Sequence, residues 1–187
     1  GSQILVDGGP DASVLRGIGK LMPFYDRSID ALIITNPDKD HITGFLDILR
    51  RYSVTHLIEP GVEKETAVYD AIKRETEKKN IPVLLARRGQ VLDLGGGVKL
   101  RILFPDRDVR ELEPNTGSLV AQLVYGETEV LLMGDSIKSV EKFLVALDGE
   151  GLASDILKAG HHGSRTSTSD ELLAVVHPAS AVISNGK

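Results

Sequence analysis

The chain has 187 residues, enough for one domain with a sizeable core and too few for two, so we predict a single domain over residues 1–187. It has no apolar run of membrane-spanning length, no signal-peptide pattern and no cysteine, which excludes disulfides and thiolate metal ligands. The net charge of −5 argues against binding of nucleic acid through a broad basic surface, so any action on DNA would depend on a reactive site.

Short β-rich runs alternate with helical patterns from the beginning of the chain to its end. In the first half we predict three strand-helix pairs, at 3–7 and 11–22, 30–35 and 42–52, and 54–59 and 63–80. A strand at 81–86 precedes two hairpins, at 91–105 and 118–133, which turn at Gly95-Gly96-Gly97 and Gly126-Glu127-Thr128. The chain then alternates helix, strand, helix and strand at 137–147, 155–160, 169–177 and 180–184.

The apolar strands at 31–35, 129–133 and 180–184 indicate sheets that are covered on both faces. We therefore predict an α/β fold, a four-layer αβ/βα sandwich of two mixed β-sheets between helices. The chain begins inside a strand and stops just after one, which predicts a fold truncated at both ends. The charge-dense segment 63–80 is typical of a solvated outer helix.

Metal-competent side chains follow three of the predicted strands directly, and because ligands collect at the carboxyl ends of strands, we expect these loops to converge. They are Asp38, Asp40 and His41, then Asp135, and then His161 and His162. Each of the first two loops also has a simpler interpretation. Asp40 could cap a helix starting near Ile42, and Asp135 could belong to the cap of the next helix. Adjacent histidines beside glycine have no such duty, so a shared metal site is the better interpretation of the three loops together.

These residues resemble the metallo-β-lactamase fold. The resemblance is carried by LVDGG at 5–9, T-x-x-D-x-D-H-x-x-G at 35–44, LLMGD at 131–135 and KAGHHGS at 158–164. The runs VLRGIGKLMPFYDRSID, SLVAQLVYG and GHHGSRTSTSDELL are further similar to the C-terminal hydrolase domain of the DNA-internalisation competence protein ComEC and its soluble relatives. The matching runs lie in the right order over nearly the whole chain.

The resemblance implies a dinuclear metal centre between the two sheets. Asp40, His41 and His161 would hold one ion, and Asp135 would bridge both. Asp38 stands where many relatives have the second motif histidine. Asn36 replaces the first motif histidine, and a neutral amide is a weaker zinc ligand than imidazole, so the cofactor is one or two divalent ions. The oxygen-rich ligand set favours manganese or magnesium slightly over zinc.

Other residues near these loops have expected supporting roles. Ser164, Thr166 and Ser167 could offer hydrogen bonds to a phosphate and Arg165 could add charge, although a Ser/Thr-rich helix cap explains the same run. His162 is expected beside the metal as a proton donor, with Asp40 as the other catalytic residue. The final two expected supports are Asp7 in LVDGG, and Asn115, which lies where the wider fold supplies another histidine.

The function that the resemblance implies is a metal-dependent phosphodiesterase or nuclease that acts on DNA through a metal-bridging hydroxide, in competence. Two alternatives stay open: a carbonyl-ester, thioester or lactone hydrolase of the same fold, and a degenerate non-catalytic binding domain, which Asn36 favours. The expected partners are a DNA substrate, single-stranded or duplex, and membrane-embedded domains of a longer parent protein. Localisation stays undetermined between a bacterial soluble hydrolase and a domain excised from a membrane competence protein.

Overall fold

Two β-sheets packed face to face form the centre of the molecule, and a computed structural model describes residues 1–185. The strands of the first sheet are β1 (Ile4–Val6), β2 (Ser28–Ile33), β3 (Ser53–Glu59) and β4 (Val83–Leu85). The strands of the second sheet are β5 (Val91–Gly95), β6 (Val98–Phe104), β7 (Val120–Tyr125), β8 (Thr128–Leu132), β9 (Ile156–Lys158) and β10 (Ser180–Val182).

The two sheets differ in how their strands pair. The first has the order β1-β2-β3-β4 and is parallel throughout. The second has the order β10-β9-β8-β7-β6-β5, in which β5 to β8 form an antiparallel meander and β8 to β10 are parallel. The predicted mixed character therefore belongs to the second sheet alone, because every connection in the first is a helical crossover.

Helices cover both outer faces, which completes the four predicted layers. They are α1 (Ser13–Leu21), α2 (Lys39–Arg51) and α3 (Ala67–Lys78) on the first sheet, and α4 (Lys138–Asp148) and α5 (Asp170–Val176) on the second. Within residues 1–185, none of the helices has the length and apolarity that crossing a bilayer requires. The α/β fold class predicted from the sequence is confirmed.

Three apolar clusters fill the spaces between the layers. Alternation along β2 and the residue that follows it shows the division: Leu32 and Ile34 pack among the residues of α2, whereas Ala31 and Ile33 pack against Leu100 of the second sheet. A third cluster joins the second sheet to α4 and α5. The buried strands place the three loops that carry polar residues at one edge of the sandwich, since each follows the carboxyl end of a strand.

Four details differ from the sequence prediction, and one is that α3 begins at Ala67 instead of residue 63. Helix α2 begins at Lys39 instead of near Ile42, so Asp40 and His41 lie in its first turn. The second hairpin turns over two residues, since Tyr125 pairs with Thr128. Strand β10 is exposed rather than covered on both faces, because it forms the edge of its sheet.

Candidate metal centre

The loop after β2 brings the first two candidate ligands to the edge of the first sheet. Asp38 is the residue before α2, and its backbone oxygen accepts from the His41 amide at 2.9 Å. Asp40 does not cap the helix; it lies in the first turn with 53% of its side chain exposed, whereas the His41 side chain is 3% exposed. The helix start therefore presents one accessible carboxylate and one buried imidazole side by side.

Asp7 holds the His41 ring in a defined orientation. One Asp7 oxygen accepts from the Thr35 amide at 2.9 Å, and the other accepts from the Thr35 hydroxyl at 2.6 Å and lies 2.8 Å from His41 Nδ1. Because a carboxylate can only accept, His41 donates its Nδ1 proton to Asp7 and turns Nε2 inward, where it can bind a metal once its own proton is lost. Asp7 thus contacts both Thr35 and His41, and its role as a support of the metal loops stays a prediction.

Two glycines let the loop after β1 lie directly on the first turns of α2. The Gly8 amide donates to His41 O at 2.6 Å, and the Gly44 amide donates to Gly9 O at 3.0 Å. A Cβ on Gly44 would collide with Gly8 O, and a Cβ on Gly8 would lie 2.7 Å from the Phe45 nitrogen. The glycines of LVDGG and of the T-x-x-D-x-D-H-x-x-G motif are thus two sides of one backbone contact, which places Asp7 against His41.

Asp135 follows β8 and comes from the opposite sheet. Ser118 positions it: the Ser118 hydroxyl donates to Thr35 O at 3.0 Å and accepts from the Asp135 amide at 2.9 Å. Gly134 before it has a positive φ of 53°, and a Cβ there would lie 2.7 Å from Leu119 O. Asp135 is therefore fixed through its backbone, and it does not cap α4, whose N-cap residue is Ile137.

The two adjacent histidines have exchanged the positions expected from the sequence: His162, not His161, lies among the other candidate ligands. Both are left-handed, with φ of 43° at His161 and 53° at His162, a conformation that is unfavourable for residues with a Cβ. His162 Nδ1 hydrogen bonds to the Ser184 carbonyl oxygen, which turns Nε2 towards Asp40 and Asp135. His161 Nδ1 instead lies 3.0 Å from the Thr166 hydroxyl. The sharp turn thus sends the second histidine, not the first, to the other ligands.

Four side chains from both sheets meet in one cluster. His162 Nε2 lies 3.0 Å from Asp40 Oδ2 and 3.4 Å from Asp135 Oδ2, and His41 Nε2 lies 3.0 Å from Asp135 Oδ2. Ligand atoms of Asp40, His41 and His162 all lie within 4.8 Å of one another. We call Asp40, His41, Asp135 and His162 the four-ligand cluster.

The chemistry of this cluster fits a divalent metal. His41 Nε2, His162 Nε2 and Asp135 Oδ1 are buried and make no well-aligned hydrogen bond within residues 1–185, although both nitrogens lie 3.0 Å from a carboxylate oxygen of the cluster. Buried polar atoms are normally paired, and the Nε2 atoms of both histidines face the same atom, Asp135 Oδ2. Each imidazole is oriented by a hydrogen bond at Nδ1, which leaves Nε2 to bind a metal. Two such nitrogens and two carboxylates form a ligand set that suits Mn²⁺ or Zn²⁺.

The same geometry changes the ionisation of the cluster. Burial lowers the pKa of the His41 imidazole, but the carboxylates of Asp135 and Asp7 on its two sides outweigh burial and raise this pKa to about 10. Burial of Asp135 acts to raise its pKa, and His41 reverses the effect, leaving the pKa lowered. Without metal, the two groups therefore form an ion pair, and a metal must displace the His41 proton to bind.

The other expected ligands are engaged elsewhere. The Asn36 side chain is buried, donates from Nδ2 to Asn115 Oδ1 at 2.8 Å, and accepts at Oδ1 from the Asp38 amide at 3.0 Å. Asp38 itself forms an ion pair with Lys64. The structure thus brings Asp40, His41 and Asp135 together with His162, and it keeps Asn36, Asp38 and Asn115 in a separate hydrogen-bonded group.

The hydroxyl-rich run after the histidines divides into two parts. Ser164 and Thr166 hydroxyls lie 3.0 Å apart beside His161, and Arg165 is exposed. The Ser167 hydroxyl donates to Gly160 O at 2.6 Å and is buried, so it supports the loop from inside. The helix-cap interpretation holds for Ser169, whose hydroxyl accepts from the Leu172 amide at 3.2 Å.

Sequence reasoning did not find Glu141 and Lys64, which both shape this site. Buried Glu141 of α4 accepts from the amides of Thr168 and Ser169 and anchors the hydroxyl-rich run. Lys64 lies in a segment of alternating charge where nothing distinguishes one lysine from the next. Each of these acts across a long separation in sequence, for which spacing gives no signal.

The chain belongs to the metallo-beta-lactamase superfamily, whose members are generally hydrolytic: the superfamily description matches residues 1–187. It is 29% identical over 171 residues to ComE operon protein 3 of Bacillus subtilis, covering 89% of this chain and 22% of that protein. It is 30% identical over 185 residues to competence protein ComA of Neisseria gonorrhoeae, covering 98% of this chain and 24% of that protein. The chain thus spans under a quarter of the length of these competence relatives.

Solved structures agree on the fold. A mutant of the metallo-beta-lactamase from Cronobacter sakazakii matches with a TM-score of 0.56 and 17% identity, covering 93% of this chain and 81% of that one. At this identity the similarity shows the shared fold alone.

Proposed function

We propose that this chain is a metal-dependent phosphodiesterase that cleaves DNA. The observation that carries the proposal is the four-ligand cluster, in which the Nε2 atoms of His41 and His162 face the carboxylates of Asp40 and Asp135 from both sheets. A divalent ion bound there supplies Lewis acidity and lowers the pKa of water, so that no side-chain nucleophile is needed.

The residues of this chain have distinct duties in such a reaction. Asp7 and the Ser184 carbonyl keep the His41 and His162 lone pairs directed inward. A ring nitrogen that binds metal cannot also donate a proton, so we assign His162 to metal binding. His161, next to the Thr166 hydroxyl, is then the histidine that stands beside the run expected to contact substrate. Asp40 is the most exposed member of the cluster and the carboxylate that a water or substrate reaches first.

The preference for a phosphodiester over a carbonyl substrate comes from the cationic and hydroxyl groups around the cluster. Lys64 is held at Asp38, Lys158 lies close enough to Asp135 to lower its pKa, and Arg165 is exposed in the hydroxyl-rich run. Such donors suit phosphate oxygens, which carry the charge. The similarity to competence proteins supports DNA as the substrate class.

Metal-stripped protein should be assayed on single-stranded DNA, duplex DNA and a chromogenic phosphodiester, each with Mn²⁺, Zn²⁺, Mg²⁺ or EDTA. We expect metal-dependent cleavage that is lost in Asp40→Asn and retained in Asp155→Asn, which alters an exposed carboxylate before β9. A chromogenic ester and a lactone serve as the competing substrates. Cleavage of these alone would transfer the assignment to a carbonyl hydrolase, and no cleavage with any metal would contradict a catalytic role.

A further inference from the structure

The polar side chains next to the four-ligand cluster are engaged in hydrogen bonds with one another, which disfavours a second metal there. Both polar ends of Asn36 are occupied, one by the Asp38 amide and the other by Asn115. Asn115 Oδ1 is the acceptor of that second bond. For either amide oxygen to bind a cation as well, a hydrogen bond made by a fully buried side chain would have to be shared or broken.

The remaining carboxylate on this side already has a cation. Asp38 Oδ1 is paired with the Lys64 ammonium, and the two side chains are 28% and 34% exposed. An ammonium carries three donors, so after bonding to Asp38 it keeps further donors for a ligand that enters from solvent. Lys64 lies in the segment before α3, outside any helix or strand, so regular backbone hydrogen bonding does not restrict the position of its side chain.

The charges around the centre suggest a role for the ion pair between Asp38 and Lys64. Asp38, Asp40 and Asp135 are the carboxylates available to cations here, since Asp7 is engaged by Thr35 and His41. One divalent ion and Lys64 offset these three negative charges, with Lys158 adding one positive charge near Asp135, whereas a second divalent ion would leave a much larger excess of positive charge. We propose that the centre holds one divalent ion, at the four-ligand cluster, and that the Lys64 ammonium replaces the second ion.

This inference rests on the proposed function for its role in the reaction. With the phosphoryl group held between the ion and Lys64, the lysine would donate to a non-bridging phosphate oxygen and offset charge that develops on it. Lys64 would thereby favour an anionic substrate over a neutral ester, which a purely structural ion pair would not do.

The metal count is the first test and needs no activity. Metal-stripped protein is titrated with Mn²⁺ and with Zn²⁺ by calorimetry, and the bound metal is checked by elemental analysis after desalting. We expect one equivalent in the natural sequence. We expect a second equivalent in the double variant Asn36→His, Lys64→Ala, which adds an imidazole and frees Asp38. Two equivalents, or none, in the natural sequence would overturn the proposal.

The second test measures anion binding by the metal-loaded protein, with dimethyl phosphate as the probe. We expect Lys64→Met to bind it about tenfold more weakly, the loss typical of one hydrogen bond from a charged donor. Lys64→Arg should retain most of the affinity. The matched control is Lys99→Met, because Lys99 pairs with Val124 near the start of β6, at the end of the sheet opposite Asp135. Equal affinities in Lys64→Met and Lys99→Met would overturn the role of Lys64.

These tests separate the inference from the proposed function. One equivalent of metal and Lys64-dependent phosphate binding, without cleavage of any phosphodiester, would refute the enzymatic activity and leave the one-ion centre standing. Cleavage by a protein that binds two equivalents would do the reverse. Thermal melting checks the folding of each variant; we expect the variants changed at Lys64 alone to fold, because Lys64 is partly exposed and lies outside helices and strands.

Discussion

At the scale of single residues, the site depends on which nitrogen of each imidazole carries the proton. Asp7 accepts from His41 Nδ1, and the Ser184 carbonyl accepts from His162 Nδ1. Neither partner contacts the position where the metal would bind, yet each fixes Nε2 as the nitrogen that faces this position and that binds a metal once it is deprotonated. Metal affinity should therefore respond to residues that are not ligands.

Replacing Asp7 with asparagine tests this directly. With the asparagine oxygen accepting from the Thr35 amide, its NH₂ group would face His41 Nδ1 and favour the tautomer whose Nε2 is protonated. We expect Asp7→Asn to weaken metal binding by about 10- to 100-fold, measured by competition with a chelator. Asp155→Asn is the control, since Asp155 also accepts from a backbone amide, that of Glu129 at 2.9 Å, away from the site. Equal affinities in the two variants would show that Asp7 does not orient the ligand.

The pKa of His41 predicts how the metal-free protein responds to pH. The pKa is raised from 6.5 to about 10 in the folded chain, so the folded state keeps a proton that the unfolded state releases as pH rises. Stability from this proton is fully present below pH 6.5 and is lost as pH rises through 10. In EDTA, the free energy of unfolding by urea should fall across this window, and the fall should be smaller in His41→Gln. His177→Gln, which alters an exposed histidine after α5, should retain the full fall.

At the scale of elements, close backbone contact explains why glycine recurs in the motifs. The loop after β1 crosses α2 so closely that a Cβ on Gly44 would collide with Gly8 O and lie 2.7 Å from Asp11 O. Both obstacles are backbone atoms, which cannot move aside as the end of a side chain can.

Gly44→Ala should therefore destabilise the fold by about 1–3 kcal/mol or more, despite alanine being the better helix former. Gly17→Ala in α1 is the matched control, because a Cβ there meets nothing within 4 Å. Relief of the helix penalty should stabilise that variant by about 0.5–1 kcal/mol. Urea unfolding measures both, and similar effects in the two variants would contradict the close crossing.

The elements themselves were largely predictable from the sequence, and their exceptions have physical causes. Periodicity predicts helices and strands because burial of one face imposes it, and every predicted element was found within residues 1–185. The start of α2 was placed too late because Lys39, Asp40 and His41 serve a polar site, which masks the apolar period of the helix. The exposed β10 was predicted as covered because an apolar run does not reveal whether its strand is at an edge.

Only the site residues that directly follow a predicted strand could be proposed from the sequence. Asp40, His41 and Asp135 follow strands and could be proposed from that placement alone. The choice between His161 and His162 depends on the left-handed backbone conformation of both residues, which the local sequence does not predict. Lys64 reaches Asp38 from 26 residues away, and Ser118 reaches Thr35 from 83, so only the folded chain reveals them.

At the scale of the whole molecule, the four-ligand cluster joins the two sheets. Asp40 and His41 follow β2 in the first sheet, whereas Asp135 and His162 follow β8 and β9 in the second. Without metal, this edge is connected through the Ser118 hydroxyl, the Leu119 amide donating to Thr35 O at 2.8 Å, and the ion pair of His41 with Asp135. A metal ion bound by ligands from both sheets should stabilise their packing as well as the site.

Metal should therefore raise the stability of the folded chain. A ligand that binds the folded state alone adds about 2.7 kcal/mol when its free concentration is 100 times its dissociation constant. We expect this gain in Mn²⁺ or Zn²⁺ and its loss in Asp135→Asn, since that change removes a charged ligand of the second sheet. Amide hydrogen exchange shows whether the metal stabilises the loops of both sheets or only one loop. Protection should increase both in 36–41 and in 160–169, because fixing either loop requires the other. Increased protection confined to one loop would mean that the ion is held by one sheet alone.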